Sequence, residues 1–254
     1  MLKKIRFKTT RPLLALALIA GLAPAESLSQ AIASTPAEDQ ALPDGNLLFW
    51  PPEQRPTGFS NMEKIFPTAP VARGDHVHAF TVSPTPLAVH YTADGQPMDS
   101  DAFMAKNNVA GLIIIKDGTI LLEKYRLGLT PERRWTSFSV AKSLTSTLIG
   151  AAIKDGYIQS INDPVTRYIP RLAGSAYDGV SIRNLITMSS GVRWNEDYED
   201  PQSDAAQLKS LGDKGSRDMV DYMKGLPRIT APGEKFLYRT GDSNLLGVLV
   251  EEAT

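Results

Sequence analysis

Ser139 and Lys142 stand three residues apart in "SVAKS", so on a helix their side chains share one face. A serine hydroxyl becomes a nucleophile only when a neighbouring group takes its proton. A lysine cut off from water and from other charge can do so, because burial disfavours its ammonium form. Lys142 is the single charged residue between Trp135 and Ile153, and the segment reads as a helix buried on most of its circumference. It is predicted to start near Ser139 and to end at Lys154-Asp155-Gly156, with Gly156 as its C-terminal cap. At the helix start, unpaired backbone N–H groups and the positive dipole end would favour an oxyanion beside Ser139. The bland reading carries equal weight on these residues alone: a serine that caps a helix and a solvated surface lysine.

Other elements must position this pair. "VAGLIIIKDGTILLEKYRLG" predicts a β-hairpin, with runs Leu112–Ile115 and Thr119–Tyr125 around an Asp117-Gly118 turn. The first run is apolar without alternation, which predicts a strand covered on both faces. Beyond Tyr125 the chain reads as helical. Asp163-Pro164 opens "VTRYIP", Ser181 caps "IRNLITM", and Ser189-Ser190-Gly191 stops it. Further helices are predicted over "DAAQLKSL", "SRDMVDYMKGL" and "NLLGVLVEEA". No later segment offers strands to complete a sheet around the hairpin.

From Glu26 to about Ser100 the sequence is proline-rich and reads as an ordered arm with little regular structure, anchored by Phe49, Trp50, Phe59 and Phe66. Before it, "MLKKIRFK" and "PLLALALIAGLAPA" have the layout of a secretory signal, cleaved after Ala25 or, second in rank, Ala33. That apolar run of about 14 residues is shorter than the about 20 a spanning helix needs. The expected organisation is therefore a signal over residues 1–25, the arm over 26–100, and a catalytic portion over 101–254 of an exported protein with no stable membrane span. Composition adds exclusions. The 254 residues are 42% hydrophobic and 22% charged with net charge −1, which gives no basic footprint for nucleic acid. With no cysteine, disulfides and thiolate chemistry are excluded. The three histidines are His76, His78 and His90. His76 and His78 lack a third ligand nearby and read as surface or structural residues, not metal ligands.

"SVAKS", followed by "AAIKDGYIQSINDPVTRYIP" and "YDGVSIRNLITMSSGV", resembles the serine β-lactamase-like superfamily, which includes penicillin-binding proteins and class C β-lactamases. "GFSNMEKIFPT", "PRLAGSAYDGV" and "WNEDYEDPQSD" look like its branch of 6-aminohexanoate-dimer hydrolases and related carboxylesterases. The resemblance runs from about Phe49 to the end of the sequence. It implies an α/β (α+β) fold of the β-lactamase/transpeptidase type, an antiparallel sheet plus a helical subdomain. It implies an acyl-enzyme on Ser139, with Lys142 as base or proton relay and Tyr238 as a proton shuttle. The substrates implied are small amides or esters, without metal or organic cofactor. A β-lactamase or D-Ala-D-Ala peptidase is the alternative within the superfamily.

Departures from the family pattern sharpen this. Thr240 stands where many relatives have an asparagine that meets the substrate amide, and Met188 stands where the broader family often has histidine; both point away from a β-lactamase. Asp197 and Glu199 are candidates for selecting a cationic substrate amine, and Tyr198 for lining the site, against the alternative of a solvated acidic loop. The family's third motif, a Lys-Thr-Gly or His-x-Gly on a late strand, is absent up to Thr254. The expectation is therefore a truncated fragment, inactive and poorly folded by itself, or surviving as a binding module.

Overall fold

The computed structural model describes residues 41–43, 45–211 and 215–254; the expected signal segment lies outside the described residues. The chain forms two compact units that divide between Arg134 and Trp135.

The first unit is built on the hairpin. Strand β4 (Gly111–Lys116) pairs antiparallel with β5 (Thr119–Tyr125), and β1 (Thr81–Val82), from the proline-rich arm, runs parallel along the other side of β5. The turn is made as predicted: Asp117 and Gly118 have φ of 49° and 73°, the doubly left-handed backbone of a tight two-residue connection. The predicted two-sided cover of the first strand is not found. Among the described residues β4 pairs only with β5 and none of its residues is buried, with Ile113 50% and Ile115 42% exposed. An apolar run shows that a strand tolerates cover on both faces, not that cover is present.

The arm holds more regular structure than its composition suggests. It forms helices α1 (Arg55–Phe59) and α2 (Met62–Ile65) and a second hairpin of β2 (His90–Ala93) and β3 (Gln96–Asp99). Asp99 then caps α3 (Ser100–Lys106) by accepting from the Ala102 N–H at 2.8 Å. Trp50 is buried and meets Phe59 at 5.9 Å between ring centres, whereas Phe49 and Phe66 are more exposed.

The second unit is helical. It comprises α4 (Ala141–Lys154), α5 (Ile182–Ile186), α6 (Asp204–Leu211), α7 (Ser216–Lys224) and α8 (Thr240–Ala253). Its core gathers Ile149, Leu172, Ile182, Leu185, Met223, Leu245 and Leu249, all fully buried. The predicted caps form: Gly156 follows α4 with φ of 86°, and Ser181 shares a reciprocal capping box with Asn184 at the start of α5. "VTRYIP" is a single 3-10 turn, Val165–Arg167, rather than a longer helix. Helix α8 begins at Thr240, four residues before its predicted start at Asn244.

One correction concerns α4, which is not buried on most of its circumference. Its buried residues are Ile149 and Ala152, while Leu144 and Leu148 are 65% and 53% exposed. The lack of charge has another cause. The hydroxyls of Thr145, Ser146 and Thr147 donate back to the carbonyls of Ala141 and Ser143 at 2.8–3.3 Å, so the helix satisfies its own polar side chains without ion pairs or burial.

The Ser189-Ser190-Gly191 stop turns the chain beside the 227–230 segment. Gly191 has φ of 77°, and its carbonyl accepts the Ile229 and Thr230 N–H groups at 2.8 and 3.2 Å. A Cβ built there would lie 2.2 Å from the Thr230 carbonyl oxygen. Gly191→Ala therefore combines left-handed strain with a backbone clash, and a loss of about 3 kcal/mol or more is expected in denaturant unfolding. A loss under about 0.5 kcal/mol, the scale of an innocuous surface change, would contradict this reading.

Candidate active site

Ser139 lies in a 3-10 turn, Phe138–Val140, that runs directly into α4. Phe138 takes φ of 44°, a conformation costing a bulky residue about 1–2 kcal/mol. It bends the chain sharply just before Ser139 and leaves that side chain exposed. Lys142 comes one turn later, half-buried, and its Nζ donates to Ser139 Oγ at 3.1 Å. Tyr238 arrives from 99 residues away and its Oη donates to the same oxygen at 2.9 Å. Lys142 Nζ also sits 5.3 Å from the centre of the Tyr238 ring. The structure thus brings together Ser139, Lys142 and Tyr238 within the second unit.

Thr240, Tyr198 and Asp197 are placed differently. Thr240 donates both its N–H, at 2.9 Å, and its hydroxyl to the carboxylate of Glu196. Tyr198 Oη and Trp194 Nε1 donate to the same carboxylate. Removal from water pushes the Tyr198 phenol up to about 12, and its bond to Glu196 adds to this, so it remains a neutral donor at physiological pH. Asp197 faces its own loop: its Oδ1 accepts from the Glu199 and Asp200 N–H groups at 2.9 and 3.3 Å. It shapes the turn.

Glu196 is the residue that sequence reasoning passed over. It is one of four acids in "NEDYED", and nothing local marks the one that reaches α8. The loop carrying it is pinned by Asp204, which is buried and accepts from both terminal guanidinium nitrogens of Arg193, from the Asn195 N–H and from Tyr222 Oη.

Beneath the site, Asp242 in the first turn of α8 is fully buried. It accepts from Ser190 Oγ at 3.0 Å and weakly from Tyr177 Oη at 3.4 Å, while its Oδ2 has no hydrogen-bond partner. Burial pushes its carboxyl up to about 6, against the pull of Ser190, Arg239 and Tyr177. The raised value means that the fold holds this proton more tightly than the unfolded chain does. Stability should therefore fall as pH rises from about 4 to about 6 and then level off. The rise from 3.8 to about 6 corresponds to about 3 kcal/mol. Asp242→Asn should flatten that part of the stability–pH curve; an unchanged slope in chemical denaturation between pH 4 and 7 would refute the assignment.

Among the described residues, no group of three or more His, Cys, Asp or Glu could hold a metal ion, and no helix is long and apolar enough to cross a membrane. His76 and His78 are exposed, with His78 edge-on to Phe80 at 4.9 Å.

The chain is similar to several known proteins. The 6-aminohexanoate-dimer hydrolase of Paenarthrobacter ureafaciens is 30% identical over 203 residues, which are 77% of this chain and 50% of that protein. A beta-lactamase of Pseudomonas fluorescens is 26% identical over 169 residues, 62% of this chain and 44% of that protein. The chain spans about half the length of the curated relatives it matches. A solved Bacillus anthracis protein, provisionally assigned as a 6-aminohexanoate-dimer hydrolase, superposes with a TM-score of 0.68 at 19% identity, over 87% of this chain and 60% of that one. That likeness establishes the β-lactamase/transpeptidase-like α/β fold. The sequence profile of the Beta-lactamase family matches residues 100–254, a stretch that takes in Ser139, Lys142, Glu196 and Tyr238; the chain belongs to that family and is homologous to 6-aminohexanoate-dimer hydrolase.

Proposed function

We propose that the protein is an exported serine hydrolase that cleaves short linear amides of the 6-aminohexanoate-dimer type, or short-chain esters, through an acyl-enzyme on Ser139. The observation that carries this reading is one oxygen, Ser139 Oγ, within hydrogen-bond reach of both Lys142 Nζ and Tyr238 Oη. Ser139 Oγ attacks the substrate carbonyl carbon, and its proton passes to the Lys142 amine. Tyr238, bonded to the same oxygen, relays a proton to the departing amine or alkoxide as the carbonyl–heteroatom bond breaks. Water then attacks the acyl ester; its proton returns by the same route, and Ser139 is regenerated. The positive end of α4 and the N–H groups of its first turn favour the negative oxygen that forms next to Ser139.

Homology supports amides as substrates, and two residues support the same direction. Met188 and Thr240 occupy positions where the β-lactamase side of the superfamily often carries histidine and asparagine, and Thr240 is already engaged by Glu196. The test compares kcat/KM of the full-length protein on 6-aminohexanoate dimer, nitrophenyl acetate and a chromogenic cephalosporin, with tryptic mapping of the trapped acyl group. The expected result is an adduct on the Ser139 peptide and at least about hundredfold preference for the amide or ester, the scale a shaped pocket achieves. Preferential cephalosporin turnover would move the protein to the β-lactamases. Neither turnover nor adduct would leave it a binding module.

A further inference from the structure

Tyr238 is 37% exposed, so packing does little to hold its side chain. Its position is set by the backbone on either side. Before it, the Leu237 N–H donates to the Met188 carbonyl at 3.1 Å. After it, the buried Arg239 guanidinium donates to the carbonyls of Met188 at 2.9 Å, Leu237 at 3.2 Å and Val192 at 2.8 Å. The next residue, Thr240, is tied through its N–H and its hydroxyl to Glu196.

Two features make Glu196 more than a neighbour. Helix α8 starts from Arg239, which supplies no side-chain cap. Glu196 provides that cap from outside and sets a negative charge at the positive end of a 14-residue helix. In addition, its carboxylate receives Trp194 Nε1, Tyr198 Oη, and the Thr240 N–H and hydroxyl. Those donors match the about four lone-pair sites a carboxylate offers, so nothing is left over for a substrate donor.

We infer that Glu196 is a positioning residue, a strut that holds the first turn of α8 and thereby keeps Tyr238 Oη on Ser139 Oγ. This inference rests on the hydrolase reading above. It also gives Thr240 a new role. The position that relatives use for the substrate amide is here the far end of the strut, with its hydroxyl committed to the protein.

The test is a double-mutant cycle on nitrophenyl acetate hydrolysis by the full-length protein. Glu196→Gln keeps the shape but puts an NH₂ against donors. It should lower kcat by about 30- to 100-fold, the scale of a misplaced catalytic group, with KM within about threefold. Because the effect passes through Tyr238, Glu196→Gln should cost less than about threefold more in a Tyr238→Phe background. Thr240→Val, which removes the hydroxyl from the other end, should show the same non-additivity and carries the test if Glu196→Gln fails to unfold cooperatively on heating. Equal losses in both backgrounds, or a raised KM at constant kcat, would overturn the strut. Turnover that survives Ser139→Ala would overturn the hydrolase reading, and this inference with it.

Discussion

Ser139→Ala in the full-length protein is expected to abolish covalent labelling by a fluorophosphonate and to lower ester hydrolysis by about 10⁴-fold or more, the loss seen when a nucleophile acting in a concerted unit is removed. The fold gives no reason for a confounding collapse. Ser139 is exposed, and among the described residues its hydroxyl hydrogen-bonds to the two groups proposed to serve it, Lys142 and Tyr238. Nearby hydroxyls are engaged elsewhere: Thr145, Ser146 and Thr147 bond back to their own helix. Ser189 and Ser190 lie buried, Ser190 against Asp242. Labelling that persists, mapped by mass spectrometry to another serine, would show that the cluster is structural and that the chemistry lies elsewhere.

Ser139 and Lys142 were legible because helical spacing is a local property, and three residues apart on one turn settles their shared face. Tyr238 was not legible from periodicity, since 99 residues separate it from Ser139; only the family pattern around "LYRTGDSN" marks it. The Asp117-Gly118 hairpin was readable because its turn needs two left-handed residues and shows them. The hairpin at Asp94-Gly95 uses the same dipeptide with φ of 52° and 72°. It was hidden by short polar strands and by Pro97 within one of them. Burial was misjudged wherever composition stood in for contact. The chargeless α4 satisfies its hydroxyls internally, and the apolar β4 lies at a sheet edge. The start of α8 was missed because its cap comes from Glu196, 44 residues earlier, and no local signal announces a cap supplied by a distant loop.

Lys142→Arg is expected to slow acylation by at least about a hundredfold, the usual scale for loss of a general base. The substitution separates the two jobs a cation can do at this site. Lys142 donates to Ser139 Oγ at 3.1 Å and lies 5.3 Å from the Tyr238 ring centre. Both interactions suit a guanidinium, which stacks on aromatic faces and donates in several directions. What it cannot do is give up a proton at any accessible pH. If Lys142 acts only by its charge, orienting Ser139 and leaving Tyr238 to accept the proton, Lys142→Arg retains most of the acylation rate. If the neutral lysine amine takes the proton from Ser139, the rate collapses while the fold stays. The measurement is the pseudo-first-order rate of Ser139 acylation by nitrophenyl acetate, with thermal unfolding as the check on structure. Acylation within about threefold of the wild-type rate, well short of a general-base loss, would assign the proton to Tyr238 and reduce Lys142 to an electrostatic partner.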